Sequence, residues 1–369
     1  LKPDSKNKGL VVNPQDMLAG KVAGVNITSY DGAPGAGAQI RVRGGSSLNA
    51  SNDPLIVIDG IAMDNEGVKG LTNPLSMVNP QDIESFNILK DASATAIYGS
   101  RGSNGVIIIT TKKGRANAKP QISYAGNVSV GIRQKSLEVM NGDEYREFIT
   151  KMYGAGSIPV SALGTANTDW QDEIYQTAIS ADHNLTVSGA FKSLPYRVSV
   201  GYTSQEGILK TSKFDRITAA LNLNPSLLND HLTLNLNAKG MFAKTKYADT
   251  GAVSAAVYFD PTQDPYNYTS SYHKEMLGAD LDRTLSNFGG YFQWPVVADY
   301  EGDKAWPYTY NGVASMPNPL ALLYNRNEHA NSRSFVGSAD IDYKVHGFED
   351  LRQAKIGRVV QQECRDRYR

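Results

Sequence analysis

From residue 121 onward, apolar and polar side chains alternate with a period of two in six separate segments. The apolar positions of the first segment are Ile122, Tyr124, Val128, Val130 and Ile132. The same alternation returns in residues 185–191, 196–203, 217–223, 232–237 and 335–343. Successive side chains of a β-strand point to opposite faces of its sheet, so this period predicts strands with one apolar and one polar face.

The connections between these segments alternate between long and short. About 45 residues separate the first two segments and nearly ninety separate the last two, whereas residues 192–195 and 224–230 form short links. Short turns on one side and long loops on the other are typical of a barrel that crosses an outer membrane. A soluble β-sandwich also alternates apolar and polar residues. The one-sided loop lengths favour the barrel.

Composition removes several other classes of protein. With 41% hydrophobic residues and no net charge over 369 residues, the chain has enough apolar surface to fold. The 37 basic residues are balanced by 37 acidic ones without a basic stripe before the last residues, so no nucleic-acid partner is predicted. No run reaches the roughly 18 to 20 apolar residues of a spanning helix. A single cysteine, Cys364, cannot form an internal disulfide.

Residues 1–115 have a different pattern, which predicts a compact α+β unit. Short apolar runs at 25–27, 40–42, 55–58, 83–89 and 106–109 are each bounded by Gly, Pro, Asn or Asp and predict strands. A helix is predicted over residues 14–20 and a second one over residues 91–99, where Asp91 is a suitable N-cap and Gly99 a suitable end.

Six motifs in this first third carry a resemblance to a known family. They are LAGKVAGV at 18–25, GAPG at 32–35, IRVRG at 40–44, NDPLIVIDG at 52–60, NPQDIES at 79–85 and LKDASATAIYGSRGSNGV at 89–106. In this order they resemble the plug domain of the SusC/RagA family of TonB-dependent outer-membrane transporters. Residues 116–351 resemble the first barrel strands of that family more loosely, through WQDEI at 170–174 and the hairpin pattern.

The resemblance implies an α+β plug domain followed by part of an antiparallel transmembrane β-barrel. The expected boundaries are 1–115 for the plug and 116–351 for the N-terminal portion of the barrel, with about six strands. Residues 352–369 are expected to be an atypical basic tail, because they are Arg-rich and lack strand alternation. The family's barrel has 22 strands, so we expect a truncated member that by itself does not transport.

The family also implies a cellular role. Its members lie in the outer membrane and import large nutrients, such as oligosaccharides or oligopeptides. A SusD-like surface lipoprotein covers the barrel, and the TonB-ExbB-ExbD complex supplies energy through a TonB box. No such box is recognisable before residue 13.

Two other classes of function compete with transport. A soluble or surface glycan-binding interaction module is the main alternative. A secreted glycan hydrolase is the other, and it would require a pair of carboxylates. The histidines are far apart and the carboxylates are scattered, so the sequence predicts no enzyme, no metal site and no cofactor.

Three arginines are predicted to hold the plug inside the barrel. Arg41 and Arg43 lie on one face of a short strand, and a buried guanidinium requires carboxylate partners, here expected on the barrel wall. Two solvated or locally paired arginines are the alternative interpretation. Arg101, in the turn before the last plug strand, is assigned the same role. The turn residues of the plug motifs are Gly44, Asp53, Asp59, Gly60, Gly99, Gly102 and Gly105. Their spacing fits neither a Walker motif nor a dinucleotide fingerprint.

The long segment from about residue 246 to 330 is rich in aromatic residues. Aromatic rings bind the apolar faces of sugars and peptides, so contact with a substrate or a lid is one interpretation. An internal core of the loop is the alternative interpretation. The candidates for substrate or lid contact are Tyr266, Tyr268, Trp294, Trp306 and Tyr308.

Overall fold

The structure, a computed structural model, places two units against each other. It describes residues 13–29, 32–44, 52–63, 74–91, 96–116, 118–192, 194–229, 231–294 and 316–344, and the backbone of 356–368. Within these ranges no helix has both the length and the apolar character to cross a membrane. We call the part up to residue 116 the N-terminal unit and the large sheet that follows it the wall.

The N-terminal unit contains a hairpin and a four-stranded sheet. Strands β1 and β2 pair antiparallel, and the sheet has the order β4-β3-β6-β5 with β3 and β6 parallel. The strands are β1 Val25–Ser29, β2 Ala38–Val42, β3 Leu55–Ile58, β4 Ile61–Ala62, β5 Ile83–Leu89 and β6 Val106–Thr111. All five strands predicted from apolar runs are confirmed. The whole of β3 is buried, as an uninterrupted apolar run in a sheet centre requires.

Short 3-10 helices precede the first strand and connect later ones. They are Pro14–Met17, Pro74–Met77, Pro80–Asp82 and Ala96–Gly102. The helix predicted over 14–20 is therefore shorter than expected. Of the helix predicted over 91–99, residues 92–95 lie outside the described residues. Gly99 interrupts the helical turn at 96–102 instead of ending a helix, because its φ of 61° and ψ of −149° are not helical.

The wall is one antiparallel sheet in which long strands pair with their neighbours along the chain. Its order is β14-β13-β12-β10-β9-β8-β7, with a short β11 paired to β12. The strands are β7 Gln121–Gly131, β8 Ala178–Phe191, β9 Leu194–Glu206, β10 Lys213–Leu223, β11 Ser226–Leu227, β12 Leu232–Tyr247, β13 Glu328–Tyr343 and β14 Ile356–Tyr368. The six predicted segments are all strands of this sheet, and most extend further than predicted.

Strand β14 lies within residues 352–369, which were expected to be an atypical basic tail. The sequence lacks side-chain alternation there, but the backbone of 356–368 pairs antiparallel with β13 over its full length. An edge strand offers unpaired backbone N–H and C=O groups, and these can pair with a segment of any side-chain pattern except proline. The wall therefore has seven long strands where six were expected.

The two faces of the wall have opposite polarity, as β9 illustrates. Val198, Val200 and Tyr202 point outward and are 39 to 48% exposed, while Ser199 and Thr203 point toward the N-terminal unit and are at most 3% exposed. A soluble sandwich would bury its apolar face instead. The apolar side of this wall faces outward, as the membrane-barrel interpretation predicts.

Helices fill the long connections between wall strands. They are α1 Gly142–Tyr153, α2 Ile158–Ser161, α3 Trp170–Ile174, α4 Gly251–Tyr258, α5 Ser271–Leu277, α6 Leu281–Asn287 and α7 Pro319–Asn325. Asn141 caps α1 in a capping box with Glu144. An apolar core of their own joins these connections, centred on Trp170, Phe259 and Phe292.

We predict that alanine is tolerated less well at Gly105 than at Gly60. Both glycines have a φ near 90°, so a side chain costs about 1 to 2 kcal/mol at either position. At Gly105 a Cβ would also lie 3.0 Å from Val42 Cγ1 and 3.3 Å from the Leu89 carbonyl, whereas at Gly60 nothing lies within 4 Å. Gly105→Ala should therefore lower the free energy of unfolding by about 1 to 3 kcal/mol more than Gly60→Ala. Urea unfolding of the chain in detergent micelles measures both, and equal losses would contradict the prediction.

Candidate functional site

The N-terminal unit and the inner face of the wall meet in a buried polar interface. Charged and polar side chains of β9, β10 and β12 contact the β3–β4 turn and the segment before β5. We call this contact the unit–wall interface; its central residues are Asp59, Ser76, Asn79 and Asp82 of the unit and Arg197, Ser199, Arg216 and Lys239 of the wall.

Asp59 forms the first ion pair of this interface. It lies in the two-residue β3–β4 turn with a φ of 48°, a conformation that Asp adopts more readily than most residues. Its Oδ1 accepts a hydrogen bond of 2.8 Å from Thr111 N, and its Oδ2 accepts one of 2.6 Å from Thr111 Oγ1. Lys239 Nζ on β12 contacts the same carboxylate. Both charged side chains are at most 10% exposed.

The protonation of Asp59 is controlled by these contacts. Burial alone would raise the pKa of the Asp59 carboxyl, because it removes water from the charged form. The Lys239 cation and the hydrogen bonds from Lys239 and Thr111 together outweigh burial, so the pKa of Asp59 lies below its usual value of 3.8. The carboxylate is ionised at neutral pH and compensates the buried ammonium group.

Asp82 forms the second ion pair. Its Oδ1 accepts a hydrogen bond of 2.7 Å from Arg197 Nη2, and its Oδ2 accepts one of 2.7 Å from Ser199 Oγ, both on β9. Lys112 lies next to this pair and donates to the Gln81 carbonyl at 2.7 Å. Burial, and then the nearby Arg197 cation, lower the pKa of Lys112. Asp82 therefore fixes the start of β5 to one wall strand.

Arg216 is the most deeply buried charged residue of the interface, with 1% of its surface exposed. Its Nη1 donates to the Ser76 carbonyl of the N-terminal unit at 3.0 Å, and its Nη2 donates to Thr203 Oγ1 at 3.2 Å. Thr203 in turn donates to Asp182 Oδ1 at 2.6 Å. The guanidinium group thus connects a backbone carbonyl of the unit with the polar interior of the wall.

A glycine in β9 permits the closest approach of the two units. A Cβ at Gly201 would lie 2.3 Å from Asn79 Nδ2 and 2.6 Å from Thr218 Oγ1. A side chain at position 201 would therefore require Asn79 and Thr218 to move. Wall residues also extend the apolar core of the N-terminal unit at this interface; they are Phe214, Met241, Ala243 and Val336.

The three predicted arginines contact the N-terminal unit itself. Arg41 donates to Asp53 at 2.8 Å, Arg43 donates to Asp91 at 2.6 Å, and Arg101 donates to the Met63 carbonyl at 2.7 Å. Their role in holding the unit against the wall stays a prediction. In the described ion pairs of the unit–wall interface the charges are distributed the other way, with carboxylates on the unit and cations on the wall.

The predicted turn residues lie in turns or beside them. Gly44, Gly60, Gly99 and Gly105 have positive φ, and Gly102 is buried at the end of the last 3-10 helix. Asp59 and Gly60 form the two-residue turn between β3 and β4, and this is a backbone type that favours Asp-Gly. Sequence reasoning assigned Asp59 to the turn and missed its ion pair.

The predicted aromatic residues fall into three groups. Tyr268 is 3% exposed and donates to the Gln293 carbonyl at 2.5 Å, and Trp294 packs on Phe259, so both belong to the loop core. Burial raises the pKa of Tyr268 to about 12. Tyr266 is 49% exposed. Trp306 and Tyr308 lie outside the described residues.

Tyr266 belongs to a row of three tyrosines, which we call the tyrosine platform. Its ring centroid lies 5.6 Å from that of Tyr291, which stacks at 6.2 Å on Tyr324 with an interplanar angle of 13°. Burial, then the charges of Glu173 and Asp264 and the neighbouring Tyr324, raise the pKa of Tyr266. The platform therefore combines partly exposed rings, with Tyr266 49% and Tyr324 50% exposed, with nearby carboxylates.

We predict that Asp59→Asn destabilises the protein much more than Arg41→Gln. Removing one partner of a buried ion pair leaves a buried charge and costs about 3 to 5 kcal/mol, while a partly exposed pair such as Arg41–Asp53 is worth about 0 to 1 kcal/mol. Unfolding in detergent micelles measures both variants.

Two controls accompany this measurement. Adding Lys239→Met to Asp59→Asn should recover part of the loss, because the uncompensated ammonium group is then absent. The folded pKa of Asp59 lies below its ordinary value, so its stabilisation is complete above about pH 4 and is lost as the pH falls through the folded pKa. Asp59→Asn should lack this acid-dependent loss. If Asp59→Asn were as stable as Arg41→Gln, the Asp59–Lys239 ion pair would not hold the two units together.

Comparisons with known proteins agree with this architecture. A family profile described as "TonB-dependent Receptor Plug Domain" matches residues 3–106. The chain is 54% identical to the TonB-dependent receptor SusC of Bacteroides thetaiotaomicron over 97% of its own length and 34% of that protein. It is 36% identical to the TonB-dependent receptor P3 of Formosa agariphila, over 73% of this chain and 26% of that protein.

A solved structure has the same fold. The RagAB peptide importer in its closed-closed state superimposes with a TM-score of 0.68 at 23% identity, over 92% of this chain and 38% of that one. The chain thus spans about a third of the length of the relatives that it matches. With its plug domain and half-barrel wall, the chain belongs to the SusC/RagA family of TonB-dependent receptors.

Proposed function

We propose that this chain forms the plug and the first wall strands of an outer-membrane transporter that imports large nutrients. The observation that carries the proposal is the polarity of the wall, which is apolar on its outer face and polar where it surrounds the N-terminal unit. Such a wall suits lipid on one side and a plugged, polar lumen on the other. Buried ion pairs keep the plug in position and, unlike a continuous apolar core, can exchange their partners for water when the plug moves.

Oligosaccharides are the substrate class that the tyrosine platform favours. Aromatic faces pack on the C–H surfaces of sugar rings, and carboxylates such as Glu173 and Asp264 accept hydrogen bonds from sugar hydroxyls. RagAB is described as a peptide importer, so oligopeptides are the alternative. Aromatic rings also bind peptides, and the binding experiment below includes both classes.

The proposed partners follow from the family. A SusD-like surface lipoprotein would cover the barrel on the side of the long connections, where the tyrosine platform lies. The TonB-ExbB-ExbD complex would supply energy from the inner membrane. A soluble or surface glycan-binding module is the competing function, and it requires no membrane.

We predict that the protein fractionates with the outer membrane and needs detergent to remain in solution. The reason is the apolar band exposed over several adjacent strands of the wall, since monomeric soluble proteins rarely expose large contiguous apolar patches. Membrane fractionation and carbonate extraction of cells expressing the protein test this location. Uptake of labelled oligosaccharide should not increase in these cells, because the chain spans only about a third of its relatives and is expected not to transport by itself. A monodisperse protein in detergent-free buffer would support the glycan-binding module instead.

We predict that the tyrosine platform contributes directly to ligand binding. Tyr266→Ala and Tyr324→Ala should each weaken oligosaccharide binding about fivefold, since one aromatic contact contributes about 1 kcal/mol. Tyr258→Ala is the matched control, because Tyr258 is 68% exposed on α4 and has no place in the platform. Calorimetry with oligosaccharide and oligopeptide panels measures the effect. Equal affinities for all three variants would show that the tyrosine platform is not part of the binding site.

A further inference from the structure

The outward face of the wall contains a groove that the proposed function does not use. Its volume is about 370 Å³, and it runs across β10, β12 and β13. The small residues Ala238, Gly337 and Ala339 leave space between larger neighbours. The larger side chains on this face are Leu221, Leu236 and Phe335. Asn237 and Ser338 also line the groove, and their side chains hydrogen-bond each other at 3.2 Å. The groove is therefore mainly apolar and has the size of a site for a flexible ligand.

Two cationic side chains lie on the same face, nearer to the long connections. Arg333 on β13 is opposite Phe242 on β12 in the register, and its guanidinium carbon lies 5.5 Å from the centre of that ring. Lys244 lies two residues further along β12, so it points to the same side as Phe242. Both cations are exposed. Asp215 on β10 is opposite Lys244 in the register, and it pairs with Lys213 at 3.8 Å. Among the side chains that the structure describes, neither Arg333 nor Lys244 forms an ion pair.

The distance between the two cations and the groove matches the distance between the headgroup and the acyl chain of a lipid. Arg333 is two residues from Phe335 and six from Ala339 on one strand. At about 3.3 Å per residue, the groove extends about 7 to 20 Å from the Arg333 position. One leaflet of a bilayer has a hydrocarbon depth of about 15 Å. A headgroup at the cations would therefore place an acyl chain in the groove.

We propose that this surface binds a phosphorylated lipid of the outer leaflet. Lys244 and Arg333 bind its phosphate, and Ala238, Gly337 and Ala339 form the bed of one acyl chain. Guanidinium and ammonium groups are the side chains that bind phosphate best, and the ring of Phe242 fixes the guanidinium on the apolar surface. The inference rests on the proposed membrane location but not on the transported substrate.

Lipid that copurifies with the protein tests the site. The protein is extracted from outer membranes in a mild detergent, and bound phospholipid and phosphorylated glycolipid are quantified by mass spectrometry per mole of protein. Arg333→Gln and Lys244→Gln should each reduce lipid binding about fivefold, and Ala339→Leu, which fills the groove, should reduce it without changing a charge. Arg333→Lys should retain most of the lipid.

Matched controls come from the same face of the wall. Lys192 lies 5.8 Å from the centre of the Phe191 ring at the opposite end of the strands, so Lys192→Gln removes a similar cation far from the groove. Ala219→Leu adds bulk at an exposed position of β10 that does not line the groove. Both controls should keep the wild-type amount of lipid. Heat-modified electrophoretic mobility shows that each variant is folded.

Three results would overturn the proposal. Equal lipid in wild type and all variants would mean that the cations only extend into the interface between membrane and water. Equal loss in controls and test variants would mean nonspecific lipid. A change of oligomeric state in Ala339→Leu, with lipid unchanged, would assign the groove to a second copy of the chain. If the protein does not enter a membrane at all, the proposed function fails as well, and fractionation distinguishes that case.

Discussion

Neighbouring side chains of a strand point to opposite faces of its sheet. The wall of this protein therefore has an apolar face directed outward and a polar face directed toward the N-terminal unit. Its inward row is polar, so the N-terminal unit packed against it must supply partners for buried charges. Asp59 and Asp82 do so for Lys239 and Arg197. A buried ion pair gives little net stability over an apolar contact, but a misplaced one is costly. A shift of the unit along the wall would leave these buried charges without partners and is therefore disfavoured.

The strands of this protein were visible in its sequence where one face is apolar. Residues 185–191 showed the pattern, yet β8 begins at Ala178, because Ser180, Asp182 and Asn184 face the polar interior without a continuous apolar row opposite them. The outward row of β12 likewise changes from Phe242 to Lys244 toward its end. Alternation marks only the part of a strand within the apolar band, so the ends extend beyond the prediction.

The unit–wall interface could not be assigned from the sequence, because its partners are far apart in the chain. Asp82 and Arg197 are 115 positions apart, and Met77 and Ser334 are 257 apart. Arg41 and Arg43 were predicted to pair with the wall. Their partners in the structure, Asp53 and Asp91, belong to the N-terminal unit. The sequence contained one indication of this interface. Arg197, Arg216 and Lys239 are cations at inward positions of strands, where a charge needs a partner from another element.

The hairpin and the sheet of the N-terminal unit are attached to the wall by different means. The β1–β2 connection contacts it through Gly35, whose N–H donates to Gln205 at 2.9 Å and whose Cα lies against the Phe214 ring. The four-stranded sheet carries the ion pairs. The two parts nevertheless share one apolar core, in which Ile40 of the hairpin packs with Ile56 and Phe86 of the sheet. Separating the hairpin from the sheet would therefore expose apolar side chains to water, so the two parts are expected to move as one body.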